Sequence, residues 1–270
     1  MGRQLNLRQH YTFLLDPVHA LSGEVTAWEL LTRFTPDREM NGLADADSGH
    51  RLFDCLLEAE KWQLFQLQLE QLEALYKSGF TSIISLNVDG DIIRGVLNND
   101  ITQQKLDRLP LLRLEVSALF TERYCAADRL LLQKLAGITP ALLWLDDFAA
   151  GGSTLSMLTS GLFEYVKTSR DFFWKYGNGY AFDTLLNHVN DFCNGVIVQG
   201  VETERHLQLL ARKPIVGMQG HHWKARYLAD FIEQTATASP SRALKNNRPP
   251  SSAALIFYDM PPVSVITATG

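Results

Sequence analysis

Hydrophobic and polar positions follow two rhythms along most of this chain. Short runs rich in β-branched and aliphatic residues fall at 11–16 (YTFLLD), 25–34 (VTAWELLTRF), 82–88 (SIISLNV) and 111–117 (LLRLEVS). Four more fall at 141–147 (ALLWLDD), 163–169 (FEYVKTS), 195–201 (GVIVQGV) and 216–222 (VGMQGHH). Their length and composition predict strands. Between most of them, apolar residues recur at helical spacing. The longest such stretch, 50–79, spaces Phe53, Leu56, Leu57, Leu64, Leu67 and Leu75 to face a core, and places Trp62 and Phe65 there too. Asp47 and Ser48 are its expected caps and Gly79 its stop. Residues 180–193, 203–212 and 225–234 read as further helices, with His188 and His206 as surface or packing residues.

Strands alternating with helices mean a parallel sheet, and about eight of them in about 230 residues suggest a closed barrel. The first two runs are joined by DPVHALSGE (16–24), with no helix between them. A hairpin-type turn there makes one strand antiparallel. The expected fold is therefore α/β, an irregular (β/α)8 TIM-like barrel. An open doubly wound sheet is the alternative, but no glycine-rich nucleotide loop follows the first strand.

Charge and composition narrow the function. A formal net charge of −5 over 270 residues argues against a nonspecific nucleic-acid binder, and no direct nucleic-acid contact is expected. No run has the apolar length of a membrane span, and the opening MGRQLNLRQHYTF lacks an apolar signal core, so a cytoplasmic protein is expected. Cys55, Cys125 and Cys193 are widely spaced with no CxxC, which argues against a disulfide or zinc framework, and Cys55 and Cys193, within apolar helical patterns, read as buried structural thiols. The last 35 residues hold five of the ten prolines and carry three cations against one carboxylate. The expected organisation is a barrel domain over 1–235 and a Pro/Ser-rich, disordered tail over 236–270, with LIFY (255–258) as a short docking element.

The informative positions are the polar residues that interrupt the strands. Glu29, Asn87, Glu115, Asp146, Asp147, Lys167, Gln199 and Gln219 each lie toward the C-terminal half of a strand. In a barrel those ends converge on one mouth, where barrel chemistry sits. Glu29, Asn87, Glu115 and Asp146 offer hard oxygen donors suited to Mg²⁺, Mn²⁺ or Ca²⁺. With Asp147 beside them, two ions could share the site, the usual device for in-line phosphodiester cleavage. Lys167 could stabilise phosphate charge or orient a water. His221 and His222 are weaker candidates, because adjacent strand residues point to opposite faces. Gly151-Gly152 is too short for a phosphate loop.

In this order and at this spacing, WELLTR (28–33), SLNV, RLEV, LDDF, YVKTS, IVQGVET and MQG resemble the motifs of the EAL domain, the cyclic di-GMP phosphodiesterase family of bacterial signalling. The resemblance covers about residues 10–230, and EKWQLFQLQLEQL (60–72) is similar to compact enterobacterial members without sensor domains. It implies Mg²⁺ or Mn²⁺ held by Glu29, Asn87, Glu115, Asp146 and Asp147. It implies Lys167 as the catalytic lysine, and Arg33 and Gln219 as ligand-binding residues. Glu202 matches the second acid of the family's E-G-V-E motif.

The departures bear on activity. Gln199 stands where that motif has its first glutamate, and glutamine cannot take a proton at neutral pH. Ala118 replaces the second glutamate of E-x-x-E. The loop reads DDFAAGGS where the family has DDFGTGYS, so Ala149 replaces a glycine and is strained if that position needs positive φ. HHWKAR (221–226) lacks the usual serine and proline. Two readings follow. One is metal-dependent binding and slow hydrolysis of cyclic di-GMP to pGpG. The other is a catalytically inactive EAL fold acting on a protein, such as a transcription activator of motility or biofilm genes. The resemblance also implies a homodimer formed near the loop after the aspartates, the loop that is altered here.

Overall fold

The computed structural model describes residues 11–34, 53, 56–117, 126–150 and 157–238. Its first two strands, β1 (Tyr11–His19) and β2 (Val25–Phe34), form the expected antiparallel hairpin. β3 (Ile83–Val88), β4 (Leu112–Ser117), β5 (Leu142–Phe148), β6 (Phe163–Thr168), β7 (Val196–Val198) and β8 (Gly217–Met218) then follow in parallel, in chain order. β8 pairs back onto β1, and β1 onto β2, so the sheet closes. All eight expected strands are present. The barrel is irregular where predicted, at β1, which runs against all its neighbours. A short β9 (Arg226–Tyr227) also joins β1.

Strand alternation sorts the side chains. Leu143 and Leu145 of β5, Leu112, Leu114 and Val116 of β4, and Trp28 and Leu30 of β2 belong to the large buried cluster shared with the helices. The opposite face fills the barrel in layers. Low in the lumen, Val18, Ala27, Trp144 and Ile197 pack together as a small apolar plug. Two residues away, back along the reversed β1 and forward along β2, β5 and the exit of β7, stand Asp16, Glu29, Asp146 and Gln199. The plug thus forms an apolar floor beneath the polar layer, which is why the polar residues meet at the mouth.

The long helix α1 runs over Glu58–Lys77 rather than from residue 50. Leu57 is its N-cap, with Glu60 bonding back to the Leu57 amide; Leu57 is 70% exposed and not in the core as the spacing predicts. The capping of the first turn overrides the apolar pattern there. Leu64, Phe65, Leu69, Leu72 and Leu75 carry the buried face, and Trp62 packs beside them. Gly79 ends the helix region at φ +100. Cys193 is half-buried, its thiol donating to the Val189 and Gly195 carbonyls, and burial raises its pKa. Among the described residues no helix is long and apolar enough to cross a membrane. The expected caps Asp47 and Ser48, together with Cys55, Cys125, Ala118, Gly151-Gly152 and the tail with LIFY, lie outside the described residues.

Candidate functional site

At the centre of the mouth is Lys167, carried on β6 and without any exposed surface. Its Nζ donates to Glu29 Oε2 on β2 at 2.7 Å and to Glu115 Oε2 on β4 at 2.8 Å. Asp146 Oδ1 on β5 lies 3.8 Å away. Amides complete the ring. Asn87 Nδ2 donates to Glu29 Oε1 at 2.7 Å, and Gln199 Nε2 to Asp146 Oδ1 at 3.0 Å. Gln219 Nε2 donates to Glu29 Oε2 and to Asp16 Oδ2, both at 2.8 Å. The five strands β2 to β6 therefore each send a polar side chain, and Gln199 and Gln219 follow from one residue past the ends of β7 and β8.

One ammonium does not neutralise this many carboxylates, and the ionisation equilibria show it. Burial pushes Glu115 up to about 8, and the charge on Glu29 adds to the shift, although Lys167 opposes it. Burial also drives Asp146 up to about 6, with Asp147 and Glu29 contributing. Glu29 goes the other way: burial works against its charge, but Lys167 and the donors Asn87 and Gln219 outweigh that and hold it below the ordinary carboxylate value. For Lys167, burial is outweighed by the three carboxylates, which hold it well above the ordinary lysine value. Two buried oxygens, Glu115 Oε1 and Gln219 Oε1, have no hydrogen-bond partner.

The remaining candidates stand apart. Arg33 is exposed near the C-terminal end of β2, on the same strand face as Glu29 by alternation. Glu202 pairs with His221 Nδ1 at 3.3 Å on the rim, not with the buried cluster. His222 is exposed, and His206 accepts the Glu202 amide N–H from helix α7 (Glu204–Leu210; α2 to α6 are Gly90–Leu97, Asp100–Asp107, Ala126–Ile138, Arg170–Tyr176 and Tyr180–Asn190). Asp147 and Ala149 are the only described non-glycine residues at positive φ, +53 and +68. The glycine of the family's loop therefore matters here: Ala149 occupies a left-handed conformation that a side chain disfavours.

Asp16 is the site residue that sequence reasoning missed. It sits opposite Glu29 in the β1–β2 ladder, and burial, then the Glu29 charge, raises it to about 6. Asp-Pro reads as the start of a turn, yet β1 continues through Pro17 to His19. Its signal was the apolar residues beyond the proline: Val18 continues the strand alternation.

The donors suit a hard cation in kind, and the bare Glu115 oxygen would welcome one. In arrangement they do not fit a two-ion centre. The carboxylates turn to Lys167 and to side-chain amides, and among the described residues no group of three or more His, Cys, Asp or Glu side chains is set to hold a metal ion.

A closed β/α barrel with one reversed strand and an acid–lysine–amide cluster at its mouth defines the architectural class. The chain belongs to the EAL domain family, whose model matches residues 3–225. It is 27% identical over 230 residues to the cyclic di-GMP phosphodiesterase PdeH of Escherichia coli K12, covering 80% of this chain and 83% of PdeH. It is 24% identical over 203 residues to YdiV of the same organism, a putative anti-FlhC(2)FlhD(4) factor, covering 73% and 83%. Among solved structures, the EAL-like YdiV superposes with a TM-score of 0.68 at 23% identity, over 85% of this chain and 98% of that one. The PaMucR phosphodiesterase in complex with c-di-GMP gives 0.61 at 18%, over 82% and 99%. These superpositions establish the fold.

Proposed function

We propose that this protein is a cyclic di-GMP signalling protein in which binding is retained and hydrolysis is impaired. The observation that carries this reading is the Gln199–Asp146 hydrogen bond. The resemblance puts a glutamate at 199, a group that could ligate a cation or accept a proton from water. Gln199 offers Asp146 an N–H and holds it as a structural partner would. General-base help of that kind is worth about 10²–10⁴-fold in rate. Phosphodiesterases of this family generally depend on divalent metal, and Lys167 here fills the space between the expected ligands.

The nucleotide's phosphates would meet Arg33 on the rim, and Gln219 would order the floor beneath them through Glu29. Binding of cyclic di-GMP by calorimetry and release of pGpG with Mg²⁺ and with Mn²⁺ test this directly. Binding with turnover far below that of Gln199→Glu is the expected result. Wild-type turnover equal to that of the variant would overturn it.

The likeness to YdiV favours a second reading, an EAL fold acting on a transcription-factor complex. No nucleotide binding in either the wild type or Gln199→Glu would transfer the function to that class.

A further inference from the structure

We propose that His206 is a proton-operated switch on the exit of β7, holding residues 199–202 in place when neutral and releasing the Glu202 backbone when protonated. One ring nitrogen has two incompatible neighbours. His206 Nδ1 accepts the Glu202 amide N–H at 3.2 Å and stands 3.2 Å from the Gly200 carbonyl oxygen. An imidazole nitrogen either carries a proton or accepts a hydrogen bond. The Glu202 bond therefore requires a bare Nδ1, with the ring proton on Nε2. In that state Nδ1 and the Gly200 oxygen are two acceptors side by side, and the carbonyl is satisfied by Trp174 Nε1 at 2.8 Å. Protonation puts a hydrogen on Nδ1. It turns the Gly200 contact into a hydrogen bond and sets two N–H groups, of His206 and Glu202, against each other. Among the described residues the Glu202 amide has no other acceptor.

Packing holds the ring where both neighbours reach it. Buried Phe173 of α5 meets it edge-on at 5.1 Å, and the Thr203 hydroxyl, which caps α7, accepts the His206 amide N–H at 3.3 Å. Gly200, at φ +82, lies against Arg170 and Trp174, so its carbonyl is held too. The charged groups on the elements around the ring are Arg170 of α5, Glu202 of the β7 exit and His221 of the β8 exit, with Glu204 and Arg205 on its own helix. The segment it grips belongs to the mouth. Gln199 bonds Asp146, the Val201 N–H bonds the Gln219 carbonyl, and the His222 N–H bonds the Val201 carbonyl. Release of the Glu202 amide frees the last residue of this chain of ties, together with the rim carboxylate that faces His221 Nδ1 at 3.3 Å. Imidazole is the side chain suited to such a device, since it changes charge between about pH 5 and 8.

The switch itself needs no nucleotide. Its corollary, that protonation of His206 weakens cyclic di-GMP binding, rests on the function proposed above. The test is nuclear magnetic resonance on the full chain, labelled in nitrogen, at about pH 8 and about pH 5. The wild type is compared with His206→Asn, which keeps an acceptor near the place of Nδ1 and takes up no proton. At the higher pH the wild-type Nδ1 should resonate as a bare nitrogen. A proton found there overturns the proposal, whether or not the variant folds. At the lower pH, protection of the Glu202 amide from solvent exchange should fall by about fivefold in the wild type, the worth of one hydrogen bond, and stay level in the variant. His221 titrates in both proteins, so the difference belongs to His206. Equal protection at the two pH values in the wild type, or an equal fall in both proteins, overturns the proposal. Calorimetry of cyclic di-GMP completes the test. From the higher to the lower pH the wild type should lose about fivefold more affinity than the variant. Equal losses overturn the corollary. No binding at either pH refutes the nucleotide reading and leaves the amide result standing.

Discussion

A carboxyl group shut away from water beside other acids keeps its proton, and Glu115 is that group here. Its ordinary value is 4.5 and its value in the fold about 8, so the folded chain binds the proton more tightly than the unfolded one. The stability this confers is fully present below about 4.5 and is lost as pH rises toward 8. Asp146 and Asp16, each moved from 3.8 to about 6, act in the same direction over a lower window. Glu29 opposes them only below its ordinary 4.5, and Lys167 loses its proton only above its ordinary 10.5. Urea unfolding in chelator should therefore show stability falling from about pH 5 to about pH 8, by at most roughly 1.4 kcal/mol per unit for this one proton. Glu115→Gln, which mimics the protonated acid, should flatten the upper part of that slope. Equal slopes in both proteins would refute the assignment. Ala149 invites a second test at the same scale. Its left-handed backbone costs about 1–2 kcal/mol, while glycine adds back roughly 0.4–1 kcal/mol of unfolded-state entropy. Ala149→Gly should come out between neutral and about 1.6 kcal/mol stabilising in a thermal melt; a clear loss would contradict the conformation.

At the scale of elements, the β8 exit is the part most sensitive to change. Gly220 has φ +152, and a Cβ there would meet the Val201 backbone nitrogen at 2.4 Å. Val201 N–H bonds Gln219 O in the same place, so the exits of β7 and β8 are locked together beneath Gln219. Gly220→Ala should cost about 2 kcal/mol or more, because backbone rather than a flexible side chain must move. Gly137→Ala in α4 has open space and an ordinary φ; it should be neutral or slightly stabilising in the same urea series. Neither glycine's environment is legible in the sequence, since each is set by what lies across the fold. The strands were legible, because the same alternation that buries Leu143 and Leu145 outward aims Trp144 and Asp146 inward. For the same reason the polar layer could be named before its contacts were known. Two things escaped: Asp16, hidden behind a proline, and the partners of Lys167. Spacing reveals which face a side chain takes, but not which of several acids a single ammonium will choose.

For the molecule as a whole, the question is how little chain the barrel needs. The family model ends at residue 225, yet closure involves more. β9 begins at Arg226, pairs with Leu14 and Leu15 of β1, and leads into the last helix, α8 (Leu228–Ala238). Phe231 of that helix meets Trp28 of β2 and Phe80 edge-on, at 5.0 and 5.7 Å, and Arg226 lies over its ring. Helix α8 therefore covers the apolar outer side of the hairpin that carries Glu29, and it runs three residues past 235. We expect truncation after Ala238 to leave the melting temperature and the nucleotide affinity of the full chain unchanged, since every contact described above lies before that point. Truncation after Ala225 should be severe. Losing a buried phenylalanine alone costs about 3–5 kcal/mol, and here the strand pairing and Leu228 leave with it. The two truncations separate the alternatives in one thermal series. If the longer piece melts well below the full chain, residues 239–270 contribute to the fold. If the shorter piece melts with the full chain, the hairpin needs no cover, and Glu29 is held by the lumen alone.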